Sequence, residues 1–187
     1  DSRENTCAVL VGNNVGAIPE YLFYCADTAD NRNGVTSVTT EATATVGAYS
    51  FYNCTKLANA ELVGVTTIEE YAFYDCTYLQ CANIINVITI EDYAFSSCGL
   101  TSLTFGNNLA TIGKHSFEYC VALTCQLEFP TSLQTIDQYA FGGCYGIIGK
   151  LVIPSSVTSL GAGAFNGCSK LSEEIDIRAN ITTINED

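Results

Sequence analysis

One phrase, a phenylalanine shortly followed by a cysteine, returns seven times along the chain: Phe23-Tyr24-Cys25, Phe51-Tyr-Asn-Cys54, Phe73-Tyr-Asp-Cys76, Phe95-Ser-Ser-Cys98, Phe117-Glu-Tyr-Cys120, Phe141-Gly-Gly-Cys144 and Phe165-Asn-Gly-Cys168. The phenylalanines are 28, 22, 22, 22, 24 and 24 residues apart. That near-fixed period is the length of one coil of a solenoid, a unit too small to bury its apolar face alone. The spacing predicts a single solenoid over residues 1–187, of about seven to eight coils, with a longer irregular unit at 26–46 that carries Asp27-Thr-Ala-Asp30-Asn31-Arg-Asn33-Gly34.

Aligned on phenylalanine, the best-formed unit reads Leu151-Val-Ile153-Pro154-Ser-Ser-Val157-Thr-Ser-Leu160-Gly-Ala-Gly163-Ala164-Phe165-Asn-Gly-Cys168. Its opening alternation has the two-residue period of a short strand with one face buried, and it recurs at Ala60-x-Leu62, Ala82-x-Ile84, Leu103-x-Phe105, Leu127-x-Phe129 and Ile175-x-Ile177. The following Val-x-x-Ile-x-x-Tyr-Ala-Phe pattern spaces apolar residues by three, as a tight helical or 3₁₀ turn does. Asn-Gly or Gly-Gly then reverses the chain. The expected architecture is an α/β solenoid, with short parallel strands on a concave face and short helical or 3₁₀ turns on the convex face.

The unit ending in Phe165-Asn-Gly-Cys168-Ser-Lys-Leu171 resembles the BspA-like leucine-rich repeats, whose phrase is approximately I-P-x-S-V-T-x-I-x-x-x-A-F-x-x-C-x-x-L, and the likeness covers about nine-tenths of the chain. The resemblance implies a right-handed leucine-rich-repeat superhelix, on a cell surface or secreted, of the kind often used in microbial adhesion. It implies nothing about the ligand.

The charge narrows the choice of partner. Twenty acidic residues against seven basic ones give −13, which disfavours nucleic acid and anionic lipid, both of which require clustered lysine and arginine. The apolar runs are too short to cross a bilayer, so no membrane insertion is expected. The chain starts at Asp1 without a methionine and stops in mid-repeat, Ile181-Thr-Thr-Ile184 repeating the Val87-Ile-Thr-Ile90 that elsewhere leads into Tyr-Ala-Phe. A fragment of a longer parent, or a second copy stacked on the open end, is therefore the expectation.

Six of the ten cysteines, Cys54, Cys76, Cys98, Cys120, Cys144 and Cys168, occupy one repeat position. Stacked in register they form a ladder with a rung of about 4.8 Å. Bridged Cβ atoms lie closer, at about 3.8 Å, so buried thiols are expected there instead of disulfides. A ladder also distributes its sulfurs along a line instead of converging them, which argues against a metal site or any other cofactor. Cys7 and Cys25 flank the first coil and form a candidate disulfide.

No catalytic constellation accompanies these features. The single histidine, His115, has no nucleophile motif beside it and is expected as a surface or half-buried residue on the convex side, and the acid pairs Glu69-Glu70 and Glu91-Asp92 fall in variable positions that suit a solvated face. Thr39, Thr40, Thr43 and Thr45 suggest a flat threonine array, which as aligned does not repeat in later coils.

The reading is thus of a non-enzymatic module. Its candidate binding residues are the outward strand positions Glu61, Asn83, Thr104, Glu128, Val152 and Asp176, with Lys150 in the adjacent column beside Asn59, Cys81, Ser102, Gln126 and Glu174. That concave face is mixed, mildly acidic and without an exposed aromatic cluster. The expected partner is a protein or a glycan, and the alternative is a structural protein whose coils stack end to end into filaments.

Overall fold

The computed structural model describes residues 7–25, 34–179, 181 and 183–185. Fourteen short strands follow in chain order: β1 (Cys7–Val11), β2 (Ala17–Ile18), β3 (Val35–Thr40), β4 (Thr45–Val46), β5 (Asn59–Leu62), β6 (Thr67–Ile68), β7 (Cys81–Asn83), β8 (Thr89–Ile90), β9 (Thr111–Ile112), β10 (Thr135–Ile136), β11 (Gly149–Ile153), β12 (Ser159–Gly161), β13 (Leu171–Ile177) and β14 (Thr183–Asn185). All pairings are parallel. Each coil therefore returns the chain to the same place one rung further on, the geometry that a fixed repeat length imposes. Residues 26–33 of the longer unit lie outside the described residues, as does Asn180.

The expected helices are absent. Among the described residues there is no helix, and the Val-x-x-Ile segment instead forms a second parallel sheet in the order β14-β12-β10-β9-β8-β6-β4-β2. These strands are only two or three residues long, and β2, β4, β6, β8, β9 and β10 place Ile18, Val46, Ile68, Ile90, Ile112 and Ile136 in the core.

The outer turns are not 3₁₀ either, for a reason visible in the backbone. From Tyr49 to Gly163 the tyrosine position and the residue four further on both take positive φ, as at Tyr71 (54°) and Asp75 (56°), or Tyr93 (57°) and Ser97 (59°). A left-handed residue every fourth position ends any right-handed helical run. The amide bonds follow suit. Ala72, Tyr74 and Cys76 donate to carbonyls three residues back, as a 3₁₀ segment would, but Tyr71, Phe73 and Asp75 donate across to Asp92, Ala94 and Ser96 of the next coil. Alternate amides thus knit the turns into a ladder.

The first sheet is interrupted. β1-β3-β5-β7 forms one piece and β11-β13 another, while Leu103-x-Phe105 and Leu127-x-Phe129, expected as strands, are not strands. The gap coincides with the step in spacing, since 81–83 and 103–105 are 22 residues apart but 103–105 and 127–129 are 24 apart. The rungs there are held by single backbone bonds, Thr101 to Gln80, Thr124 to Thr101 and Ile148 to Cys125.

The core between the sheets is a set of stacked columns. Phe23, Phe51, Phe73, Phe95, Phe117, Phe141 and Phe165 stack at 5.1–5.4 Å between centroids, with the five central rings fully buried. Beside them the six repeated cysteines are buried, and each Sγ donates to the carbonyl oxygen of the phenylalanine one coil back at 3.0–3.3 Å, as Cys98 does to Phe73. Most of those carbonyls also accept the amide of the cysteine in their own coil, so both lone pairs are used inside the core.

Candidate binding surfaces

On the first-sheet side, Glu61, Asn83, Thr104 and Glu128 are exposed, whereas Val152 and Asp176 are partly buried. The structure does not gather these six into one site. Asn83 Nδ2 donates to Glu61 Oε1 across β5 and β7. At the other end Asp176 Oδ2 lies 2.8 Å from Arg178 Nη2 and 3.6 Å from Lys150 Nζ, and the paired guanidinium holds its carboxyl below the ordinary range. Asp176 is therefore committed to Lys150 and to Arg178, the latter a partner outside the column alignment.

Between these ends, where the sheet is interrupted, two adjoining hollows open. One of about 320 Å³ is lined by Glu61, Asn83, Ile85, Ser102 and Thr104. The other, of about 370 Å³, is lined by Thr104, Phe105, Gln126, Glu128 and Phe129. Thr104 borders both. Phe105 and Phe129 are half-buried and stack at 5.7 Å, which is aromatic surface that the alternating pattern assigned wholly to the core.

A second surface was not singled out from the sequence. The left-handed position of the turns builds a column Tyr21, Tyr49, Tyr71, Tyr93, His115 and Tyr139, whose rings stack at 4.6–5.4 Å and within 13° of parallel. Three residues on, Tyr24, Tyr52 and Tyr74 form a shorter column stacked at 5.0 Å, edge-on or tilted to the first. His115 is a half-buried member of this stack, with Nδ1 2.9 Å from Glu118 Oε2. The signal was present as Tyr-Ala-Phe at 71, 93 and 139, but the ring positions depend on φ values that the letters do not show.

A third column also repeats after all. Thr45 stands in register with Thr67, Thr89, Thr111, Thr135 and Ser159 along the second sheet. It sits in the segment whose three-residue apolar spacing also fits a helical turn, which hides it from the letters. Carboxylates of Glu69, Glu91 and Asp137 follow two residues after it in their coils.

Among the described residues no group of three or more His, Cys, Asp or Glu side chains could hold a metal ion, and no helix is long and apolar enough to cross a membrane. The ladder sulfurs are chemically quiet. Burial pushes the Cys120 thiol up to about 12 and Cys168 to about 11, and raises Cys98 and Cys144 as well, so the nucleophilic thiolate is suppressed at neutral pH. Cys81 and Cys7 are exposed and Cys25 is half-buried. Iodoacetamide on the native protein is expected to label Cys81 and none of the six ladder cysteines, read by peptide mass spectrometry. Cys7 reports on the candidate bridge to Cys25: labelling of Cys7 excludes it, and protection of both with Cys81 labelled supports it.

A chain of parallel coils with paired sheets and a phenylalanine–cysteine core defines a leucine-rich-repeat solenoid. The chain belongs to the BspA type Leucine rich repeat region family, which matches residues 4–124 and 88–187 in six copies. Similar solved structures include a leucine rich cell surface protein from Faecalibacterium prausnitzii A2-165, at 25% identity and TM-score 0.80, covering 92% of this chain and 48% of that one. The leucine-rich repeat protein of T. pallidum aligns at 26% identity and TM-score 0.75 over 90% of this chain and 79% of that one. A leucine-rich repeat protein from Bacteroides ovatus shares the fold at 21% identity and TM-score 0.71, over 89% of this chain and 46% of that one. The chain thus spans about half the length of the first of these relatives. No curated protein matches it.

Proposed function

We propose that the chain is a non-enzymatic binding module of a cell-surface or secreted protein, and that it takes a protein or glycan ligand on the first-sheet side. The observation that carries this reading is the pair of hollows meeting at Thr104. They combine exposed carboxylate and amide groups at Glu61, Asn83, Gln126 and Glu128 with the Phe105–Phe129 pair, a mixture of orienting polar groups and apolar floor that suits recognition. The name of the Faecalibacterium relative supports a cell-surface setting. Thr104→Arg fills both hollows from an exposed position. It is expected to abolish binding to whichever member of a glycan array or panel of immobilised matrix proteins the native chain retains, with the circular-dichroism melt unchanged. Retention of every hit by that variant overturns the assignment of the site.

A second reading rests on β13. It is paired only with β11 among the described residues, and Ile175 and Ile177 on it are each about half exposed, at 52% and 53%. A second copy stacked there would cover them and extend the solenoid into a filament. Light scattering across a concentration series distinguishes the two: growth in mass that Ile175→Lys abolishes favours stacking, and a constant monomer mass removes it.

A further inference from the structure

We propose that the two tyrosine columns on the turn side form a second docking surface, separate from the hollows at Thr104, for an extended segment of a partner protein rich in arginine or lysine interleaved with aliphatic residues. The first support is area. Tyr21 and Tyr24 are 53% and 42% exposed, and the rings behind them are held in fixed stacks in which every second backbone amide is tied to the next coil. Rigid tyrosines offer contact area with little conformational entropy left to lose, which is why they dominate binding surfaces that must recognise without rearranging.

The second support is which parts of the rings remain available. Within each column the faces are used against one another, at 4.6–5.4 Å in the long column and 5.0 Å in the short one. A flat sugar ring or a quaternary ammonium ion needs a free aromatic face and finds few here. What the columns present are ring edges and hydroxyl groups, repeated at the rung of the solenoid. Edges pack aliphatic chain, and hydroxyl oxygens accept from cationic donors.

Charge selects the sign of the partner. The carboxylates whose fields reach the tyrosines are Glu70 at Tyr49 and Tyr71, Asp75 at Tyr52, and Asp92 and Glu118 at Tyr93. Burial, with these carboxylates added, raises the phenols above their ordinary value, so they stay neutral donors and acceptors at physiological pH. A second copy would bring the same carboxylates against these ones, and nucleic acid would bring phosphate. A cationic segment with aliphatic stems satisfies both the acids and the ring edges. The long column, five rungs of about 4.8 Å, runs about 24 Å, room for about seven residues of extended chain.

The test uses the intact chain and three fluorescein-labelled peptides of equal length: arginine alternating with leucine, glutamate alternating with leucine, and arginine alternating with glycine. The variant is Tyr52→Ser with Tyr74→Ser, which installs the side chain that Ser96 already supplies in the same column and so preserves the turn. Anisotropy titration at about 0.15 M salt is expected to show binding of the arginine–leucine peptide alone. The double variant should weaken it about tenfold or more, as should Glu70→Gln with Asp75→Asn, while Thr104→Arg leaves it unchanged. Failure of the peptide to bind, equal binding of the arginine–glycine peptide, or indifference to the tyrosine substitutions overturns the proposal. Loss in Thr104→Arg assigns the peptide to the hollows and overturns it equally. Because the proposal for the hollows is read by Thr104→Arg against other ligands, either can fail alone.

Discussion

The protein is expected to lose most of its stability between about pH 9 and 11 under reducing conditions, the fall beginning near pH 9, below the ordinary lysine value of about 10.4. The unfolded thiol has a value of 9.0, and burial raises Cys120 to about 12 and Cys168 to about 11, with Cys98 and Cys144 also raised. A group whose folded value lies above its unfolded one contributes full stability below the unfolded value and loses it as pH rises toward the folded one. Here the unfolded chain releases protons from pH 9 while these four buried thiols keep theirs, so each of the four costs about 1.4 kcal/mol per pH unit in that window. The four together remove about 10 kcal/mol by pH 11, comparable with the roughly 5–15 kcal/mol that holds a domain. The check is a urea midpoint measured from pH 7 to 11 with a phosphine reductant. A Cys98→Ala, Cys120→Ala variant should be less stable at pH 7 but show a shallower fall above pH 9. A midpoint that is flat to pH 11 would refute the buried-thiol account.

The second large effect is Phe95→Ala. Phe95 is fully buried and stacks on Phe73 at 5.1 Å and on Phe117 at 5.4 Å. Removing the ring forfeits its transfer free energy, leaves a cavity in a column that cannot collapse because its rungs are set by backbone bonds, and breaks two stacked pairs. The expected cost is about 3–5 kcal/mol, at the upper end of that range. Phe165→Ala is the internal comparison, since Phe165 is only partly buried and stacks in line on one side alone, against Phe141 at 5.4 Å. It should cost about half as much by the same bookkeeping. Equal losses at the two positions, measured by chemical denaturation, would mean that the stack is not cooperative along the axis.

The recurring phenylalanine, cysteine and aliphatic positions were legible because burial in a solenoid is dictated by side-chain type, and the same type must recur wherever the same slot recurs. Leu62, Ile84, Val87, Phe73 and Cys76 all fall in the core as their pattern requires. The segment Val65-Thr66-Thr67-Ile68 was misread for a physical reason. Three-residue apolar spacing fits a helical turn and equally a turn feeding a two-residue strand. A strand so short has no propensity of its own, and it exists only because Thr67-Ile68 meets Thr45-Val46 on one side and Thr89-Ile90 on the other. The opposite error falls at Leu103-x-Phe105, whose alternation is as good as that of β5 but which finds no strand partner on either side.

The candidate sites divide along the same line. Sequence by itself determined the repeat length, the phenylalanine, cysteine and aliphatic columns of the core, the family and the acidic sign of the surface, because each depends on residue identity and period alone. Tertiary structure decided where the strand face opens into hollows, that Asp176 is spent on Arg178 and Lys150, and that tyrosines 22 to 28 residues apart become one aromatic surface. Those outcomes depend on register between coils and on left-handed backbone at single residues, which are set by hydrogen bonds to a neighbouring coil that no local pattern can specify.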